Sequence, residues 1–241
     1  MKYLSLYRKS FTKGFNLFYG KPGNWSILGL LPGYLERQNS SLVTMVDDLI
    51  TQSGNANSGF YLHNHEKLYQ VLLRNEIRRQ PSLLIGVTFA LLDFAEKYSM
   101  DLQYTIVMET GGMKGRREEI TRDEIHAILR DKLGIQNTHS EYGMTELLSQ
   151  AYSKEKGLFD CPPWMKVLLR EETDPFGITA KPETKKPSTG LLNIIDFANL
   201  YSCPFIATDD VGRLYKNGSF EVLGRRDVSD IRGCSLLTAG A

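Results

Sequence analysis

The chain has 241 residues, of which 41% are hydrophobic and 24% are charged, and its formal net charge is +1. This composition suits one or two globular domains with a substantial core, and the balanced charge gives no indication of a nucleic-acid partner. No apolar run is long enough to span a membrane, and the first residues lack the pattern of a signal peptide. The cysteines Cys161, Cys203 and Cys234 have no metal-type spacing, so we expect reduced thiols in a cytoplasmic protein.

The first part of the sequence alternates between helical and strand-like segments. The spacing of apolar residues predicts helices over residues 3–19, 41–51, 65–79, 89–98 and 121–133, and buried strands over residues 25–31, 83–87 and 104–108. Thr121 and Glu124 have the spacing of a capping box at the start of the last helix, and Gly134 stands at the position expected just after its end. This alternation over residues 1–152 predicts an α/β fold with a mostly parallel sheet flanked by helices.

The pattern changes in residues 153–241. Short strand-like runs occupy residues 165–170, 190–196, 205–207 and 220–223, with few helical patterns between them. Asn217-Gly218 stands between two such runs and is a strong signal for a hairpin with a two-residue loop. We therefore expect residues 153–241 to form a β-rich subdomain that packs on the α/β part.

The segment His139-Ser-Glu-Tyr-Gly-Met-Thr-Glu146 is the most informative in the chain. It follows a β-like stretch and precedes residues 147–152, which we predict to be helical. Gly143 would let the backbone approach a ligand closely, and Glu146 at the start of a helix could hold a hard cation such as Mg²⁺ beside phosphate oxygens. The alternative is an ordinary helix start capped by Thr145, and the segment alone does not decide between the two.

Three further stretches carry side chains suited to a nucleotide. Gly111 and Gly112 end a strand and could let a flat purine lie against the backbone, or they could simply form a tight turn. Asp210 comes directly after a strand and could accept both hydroxyls of a ribose, or it could belong to an Asx turn. Arg225 lies in the polar, glycine-bounded stretch 224–233, which suits a hinge, a phosphate-contacting loop or a solvated loop.

Taken in order, these stretches resemble the adenylate-forming superfamily of acyl and aryl ligases. Residues 142–146 match its adenine and metal motif, residues 208–210 are similar to its ribose motif with Asp209 in place of a glycine, and residues 224–227 are similar to its hinge motif. The phrases LLPGYLERQ, METGGMKGRREE, HSEYGMTELLSQAYS and FEVLGRRDVSDIRGC resemble more narrowly the acyl-protein synthetases of the LuxE type. This resemblance covers essentially the whole chain.

The resemblance implies an activity and a set of residue roles. A long-chain fatty acid would be activated with ATP to an acyl-adenylate, and its acyl group would then pass to a cysteine thiol and onward to a fatty-acid reductase partner. The implied roles are Mg²⁺ binding for Glu146, a phosphate contact for Thr145, ribose binding for Asp210, a ribose or phosphate contact for Arg225, and adenine-side contacts for Gly111, Gly112, Tyr142 and Gly143.

Cys234 lies in the region where the family carries its acyl-accepting cysteine. It is close in sequence to Arg232 and to the Arg225-Arg226 pair, and nearby positive charge favours the nucleophilic thiolate. The residue type alone would equally suit a small buried apolar side chain.

The family also carries a Ser/Thr/Gly-rich phosphate loop upstream of the region that matches Met1. We therefore expect the chain to be truncated at its N-terminus relative to that family. A second interpretation is a non-catalytic remnant that binds a nucleotide or a partner reductase.

Overall fold

A computed structural model describes residues 3–31, 40–111 and 121–226. The α-helices in these ranges are α1 (Leu4–Tyr19), α2 (Ser41–Ser53), α3 (His65–Ile77), α4 (Thr88–Lys97) and α5 (Arg122–Leu133). The strands are β1 (Ser26–Leu30), β2 (Gly59–Phe60), β3 (Ser82–Val87), β4 (Thr105–Thr110), β5 (Thr138–Tyr142), β6 (Ala151–Ser153), β7 (Phe159–Asp160), β8 (Met165–Arg170), β9 (Ile178–Thr179), β10 (Ser188–Asp196), β11 (Phe205–Leu214) and β12 (Phe220–Arg225). Short 3₁₀ helices cover Pro22–Asn24 and Phe197–Asn199.

One sheet connects all of these strands in the order β2-β1-β3-β4-β5-β6-β7-β12-β11-β10-β8-β9. The first five strands in this order, β2, β1, β3, β4 and β5, are parallel to one another. Every later pairing, beginning with β5–β6, is antiparallel. The α/β fold class predicted from the sequence is therefore confirmed. The strands of the antiparallel part all follow residue 150. A domain boundary at residue 152 stays a prediction, because one continuous sheet runs through both parts.

Two layers of helix cover the parallel strands. Helices α3, α4 and α5 pack on one face, with Leu28, Leu84 and Val107 contributed by the strands. Helices α1 and α2 pack on the other face, where the strands contribute their alternate residues, such as Ile27 and Met108. Burial on both faces explains why these strands are almost continuously apolar in the sequence. No helix in the described ranges has both the length and the apolar character needed to cross a membrane.

The antiparallel strands enclose a separate apolar cluster that includes Phe159, Leu192 and Phe220. The hairpin between β11 and β12 is confirmed, but its loop is longer than the two residues predicted. The loop consists of Lys216, Asn217 and Gly218. The main-chain N–H of Tyr215 donates a hydrogen bond of 2.9 Å to the carbonyl of Ser219. Gly218 has φ of +93°, which suits a type I turn closed by a glycine in the left-handed region.

The helix predicted over residues 147–152 is wrong. Residues 143–150 contain no helix, and β6 starts at Ala151 as an antiparallel partner of β5. The physical reason lies in the two cores that meet here, because Leu147 and Ala151 pack into the antiparallel cluster while Leu148 and Tyr152 pack against α1 and α2. Apolar residues four positions apart are compatible with a helix and also with a loop that sends its apolar residues into two cores. The spacing alone therefore could not distinguish the two structures.

Candidate functional site

Three of the predicted nucleotide-binding residues come together from separate strands. Tyr142 ends β5, Asp210 lies in β11, and Arg225 ends β12 as the register partner of Asp210. The Tyr142 hydroxyl donates a hydrogen bond of 2.7 Å to Oδ2 of Asp210. Strands β6, β7 and β12 separate β5 from β11 in the sheet, so this contact requires the antiparallel part to curl back towards Tyr142.

The electrostatics of this group fix the direction of its central hydrogen bond. Burial raises the pKa of Tyr142, and the charge and hydrogen bond of Asp210 raise it further, against the opposing charge of Arg225. The phenol is therefore a permanent donor at physiological pH, and the Asp210 carboxylate is its acceptor. Within the part of the chain that the structure describes, this hydrogen bond uses Oδ2 of Asp210, and none is made to Oδ1.

The surroundings of Asp210 differ from the sequence prediction in one respect. The strand does not end at residue 207 but continues as β11 to Leu214, with an irregularity in its pairing between Val211 and Gly212. The main-chain N–H of Asp210 donates to Oγ1 of Thr208 at 3.1 Å, and the Thr208 hydroxyl donates to the Leu192 carbonyl at 2.8 Å. Asp210 is therefore held in a strand with its side chain directed at Tyr142, rather than in a turn.

Gly111 lies beside this group, at the carboxyl end of β4. Its φ of +73° is in the left-handed region, which agrees with the tight-turn interpretation of this glycine. Its carbonyl accepts a hydrogen bond of 3.3 Å from the hydroxyl of Thr88, the first residue of α4. Because Thr110 pairs with Glu141, the glycine turn and Tyr142 leave adjacent strands at the same edge of the sheet. Gly112 lies outside the described residues.

The sequence interpretation missed two buried carboxylates, Glu109 in β4 and Glu141 in β5. Their side chains form hydrogen bonds between these two strands on opposite faces of the sheet. Glu109 is on the face covered by α5 and accepts hydrogen bonds from Ser140 at 2.8 Å and Thr88 at 3.0 Å. Arg122 and His126 of α5 approach its Oε1 at 3.6 Å each. Burial raises the pKa of Glu109, but His126, Arg122 and Ser140 together outweigh burial and hold it below the usual range.

Glu141 is on the other face, and no cation among the described residues forms an ion pair with it. Thr110 donates a short hydrogen bond to its Oε2. Burial, with a smaller contribution from the charge of Glu109, raises the pKa of Glu141 to about 7, against the effect of the Thr110 hydrogen bond. Its Oε1 lies so close to Gly143 that a Cβ built on that glycine would meet it at 2.5 Å. The glycine therefore has a structural role towards Glu141, in addition to the ligand approach predicted from the sequence. An acidic residue inside an otherwise buried strand was the signal that could have identified both carboxylates.

The loop after Tyr142 presents the predicted metal-binding residue. Thr145 and Glu146 are both exposed. Thr145 does not cap a helix, since none starts here, and the capped-helix alternative is wrong. The Glu146 carbonyl accepts a hydrogen bond of 2.6 Å from the Asn199 side chain, while its carboxylate has no hydrogen bond or ion pair with the described residues.

This arrangement fits a magnesium ion that is shared with a nucleotide. Mg²⁺ is commonly held by one or two carboxylates together with substrate phosphates and water, and an unpaired exposed carboxylate meets that requirement. Within the described ranges, no group of three or more His, Cys, Asp or Glu side chains could hold a metal by itself. The magnesium role of Glu146 therefore stays a prediction.

The cysteine predictions fall partly outside the described residues. Cys234 and the hinge stretch beyond Arg226 lie there, so the acceptor role of Cys234 stays a prediction. Cys161 is half-buried, and burial, with the charges of Asp160 and Asp196, raises the pKa of its thiol to about 12. A thiol with that pKa is a weak nucleophile at neutral pH.

Comparisons with known proteins identify the fold. No protein-family model matches the chain, and no curated protein matches it. Among solved structures, ATP-bound MatB from Rhodopseudomonas palustris superposes with a TM-score of 0.64 at 13% identity, over 91% of this chain and 44% of that one. The luciferase-like enzyme from Zophobas morio gives 0.60 at 14% identity, over 94% and 53%. O-succinylbenzoate coenzyme A synthetase (MenE) from Bacillus subtilis, in complex with AMP, gives 0.58 at 17% identity, over 92% and 45%.

These likenesses show that the chain has the fold of an adenylate-forming ligase domain. They also show that it spans about half the length of the solved structures it matches.

Proposed function

We propose that this chain forms the nucleotide- and acyl-binding part of an ATP-dependent ligase that activates a long-chain fatty acid as an acyl-adenylate. The observation that carries the proposal is the convergence of Tyr142, Asp210 and Arg225 from three strands of an adenylate-forming ligase fold. In this proposal Asp210 binds the ribose, and Arg225 contacts the ribose or a phosphate. Gly111 and Gly112 would contact the adenine side of the nucleotide, and Tyr142 and Gly143 would contact the adenine and the neighbourhood of the acyl group.

The chemistry explains why such a site needs positive charge. A fatty-acid carboxylate is a poor electrophile, and its attack on the α-phosphorus of ATP brings negative groups together. One carboxylate oxygen forms a bond to phosphorus while the bond to pyrophosphate breaks, which gives the acyl-adenylate. Mg²⁺ bound with the nucleotide would neutralise phosphate charge during this step. The protein's contribution is the Glu146 carboxylate that holds the ion and the Thr145 hydroxyl that contacts a phosphate oxygen.

We further propose that the acyl group passes to Cys234 and then to a fatty-acid reductase. The Cys234 thiolate would attack the acyl carbon, and AMP would leave with the electron pair of the broken C–O bond, so that a thioester forms. Support for this step comes from the sequence resemblance and from the basic residues near Cys234 in the sequence. A hydroxylamine-labile adduct on Cys234 after incubation with acyl-adenylate is the expected result, and mass spectrometry that places the adduct elsewhere would refute the acceptor role.

The nucleotide part of the proposal is tested by AMP binding to the chain. We expect calorimetry to detect AMP binding that Asp210→Ala weakens by about tenfold or more, since a hydrogen bond to a charged group contributes about 1.5–3 kcal/mol. Asp209→Ala is the matched control, because its exposed side chain makes no hydrogen bond to the described residues and should leave the affinity unchanged. Equal effects of both variants, or no AMP binding by the wild type, would contradict the proposal.

The catalytic part is tested by fatty-acid-dependent exchange of pyrophosphate into ATP, which Glu146→Ala should reduce. A second proposal is nucleotide binding without catalysis, with which the convergence of Tyr142, Asp210 and Arg225 is equally compatible. AMP binding without exchange for any chain length of fatty acid would support that second function and exclude catalysis by this chain alone.

A further inference from the structure

We propose that Asn199 is a positioning residue that fixes the main chain of Glu146, and that Asp196 locks Asn199 to the same loop. The inference rests on the proposed function only where it links this position to magnesium binding. Neither residue belongs to the motifs that carry the sequence resemblance, and both lie about fifty positions from the loop along the chain.

The first contact is made by the Asn199 side-chain amide. Its Nδ2 donates to the Glu146 carbonyl at 2.6 Å and to the Cys203 carbonyl at 2.9 Å. Both hydrogens of the amide are therefore used, and the residue is only 3% exposed. A buried amide with both donors engaged has one favourable orientation, so it holds the Glu146 carbonyl at a defined place.

The second contact is made by the Asp196 carboxylate, which is fully buried. Its Oδ2 accepts from the main-chain N–H groups of Leu148 and Ser149 at 2.8 and 3.0 Å, and its Oδ1 accepts from the Ser149 hydroxyl at 2.6 Å. Oδ1 also accepts from the N–H of Ala198 at 3.0 Å, which caps the short helix Phe197–Asn199. One carboxylate thus joins the loop to the helix that carries Asn199, through hydrogen bonds strengthened by its charge.

The loop depends on these contacts because its own backbone provides little support. Residues 143–150 belong to no helix or strand, and the backbone hydrogen bond within this stretch runs from the Leu147 N–H to the Met144 carbonyl at 3.1 Å. The exposed Glu146 carboxylate is placed by its main chain, since its side chain makes no hydrogen bond or ion pair with the described residues. Groups that orient a metal ligand typically affect metal affinity by about 10- to 100-fold when they are removed.

The test compares Asn199→Ala with Asn75→Ala. Asn75 is a matched control, because it is 1% exposed and its Nδ2 donates to Ser82 at 2.9 Å, within α3 and β3 and away from the loop. Both variants should lower the free energy of unfolding. Only Asn199→Ala should raise the Mg²⁺ concentration that half-saturates ATP binding, by about tenfold, while the affinity for AMP without metal stays within about twofold of the wild type.

Hydrogen exchange gives a readout that needs no ligand. Amides of residues 146–149 should exchange faster in Asn199→Ala than in Asn75→Ala, even after both rates are corrected for global stability. Equal exchange in the two variants would overturn the positioning role, whether or not the chain binds a nucleotide. Faster exchange without a change in the Mg²⁺ requirement would overturn the link to magnesium, and absence of ATP and AMP binding in the wild type would overturn the proposed function instead.

Discussion

The hydroxyl of Tyr142 and the carboxylate of Asp210 are joined by a hydrogen bond of 2.7 Å although the residues are 68 positions apart. The bond connects the last residue of the parallel part of the sheet to a central strand of the antiparallel part. Because Tyr142 also packs edge-on against Phe159 and Phe220, its ring is held before any ligand arrives. Asp210 is therefore oriented in advance, which reduces the ordering that a bound ribose would otherwise require.

Removal of this bond should weaken nucleotide binding through Asp210. We expect Tyr142→Phe to lower AMP affinity by about tenfold, which corresponds to about 1.4 kcal/mol. In a double-mutant cycle with Asp210→Ala, the two losses measured by calorimetry should be clearly less than additive, since both variants break the same contact. Full additivity would mean that Tyr142 acts on the nucleotide independently of Asp210.

Glu141 should make stability depend on pH near neutrality. Its pKa is raised from the usual 4.5 to about 7, mainly by burial, so between these values the folded chain holds a proton that the unfolded chain releases. The stabilisation is complete below the unfolded pKa and is lost as the pH rises through the folded pKa, which lowers the free energy of unfolding by up to about 3 kcal/mol.

Glu141→Gln removes this titration and nearly preserves the shape of the side chain. The free energy of unfolding, measured with urea, should fall between pH 5 and pH 8 by a larger amount in the wild type than in the variant. The same pH dependence in both proteins would show that another group is responsible.

Gly143→Ala should be destabilising because of Glu141 rather than because of backbone strain. The new Cβ would meet Oε1 of Glu141 at 2.5 Å, and a buried carboxylate held by Thr110 cannot move away freely. We expect a loss of about 1–3 kcal/mol in denaturant unfolding, which is typical of overpacking. Gly224→Ala, where an added Cβ meets nothing within 4 Å, is the control and should be nearly neutral. If both substitutions cost the same, the Glu141 contact is not the cause.

Asp196→Asn should destabilise the fold more than a typical surface change. The amide group that replaces one carboxylate oxygen would face donors, so either the Leu148 and Ser149 N–H groups or the Ser149 hydroxyl and Ala198 N–H would lose their acceptor. Each unsatisfied buried group costs about 1–3 kcal/mol, and we expect a total loss of about 2–4 kcal/mol in thermal or denaturant unfolding. Asp209→Asn on the exposed side of β11 should change stability by less than about 0.5 kcal/mol. A loss of similar size in both variants would contradict the role of Asp196.

The sequence predicted those parts of the fold that depend on local periodicity and on end signals. The helix opened by Thr121 has its capping box and ends at Gly134 in the left-handed conformation, as the residue types indicated. Residues 147–152 were misassigned because neighbouring leucines pack into two different cores, and that distinction exists only in three dimensions. Local spacing carries no information about which strands approach each other in space, so Tyr142 and Asp210 could be grouped only through the family resemblance.

The narrowest point of the sheet determines how the molecule would respond to mechanical load. Strands β7 and β12 meet in one register pair, Phe159 with Phe220, whose stacked rings lie 5.4 Å apart. A torque that twists the antiparallel part against the parallel part would concentrate at this junction, because a short ladder resists rotation poorly. Among the described residues, two side-chain hydrogen bonds also span the junction, Tyr142 to Asp210 and Arg122 to the Val222 carbonyl at 3.0 Å. Loss of either bond should therefore make the junction easier to twist, and one of the two bonds includes Asp210, the proposed ribose contact.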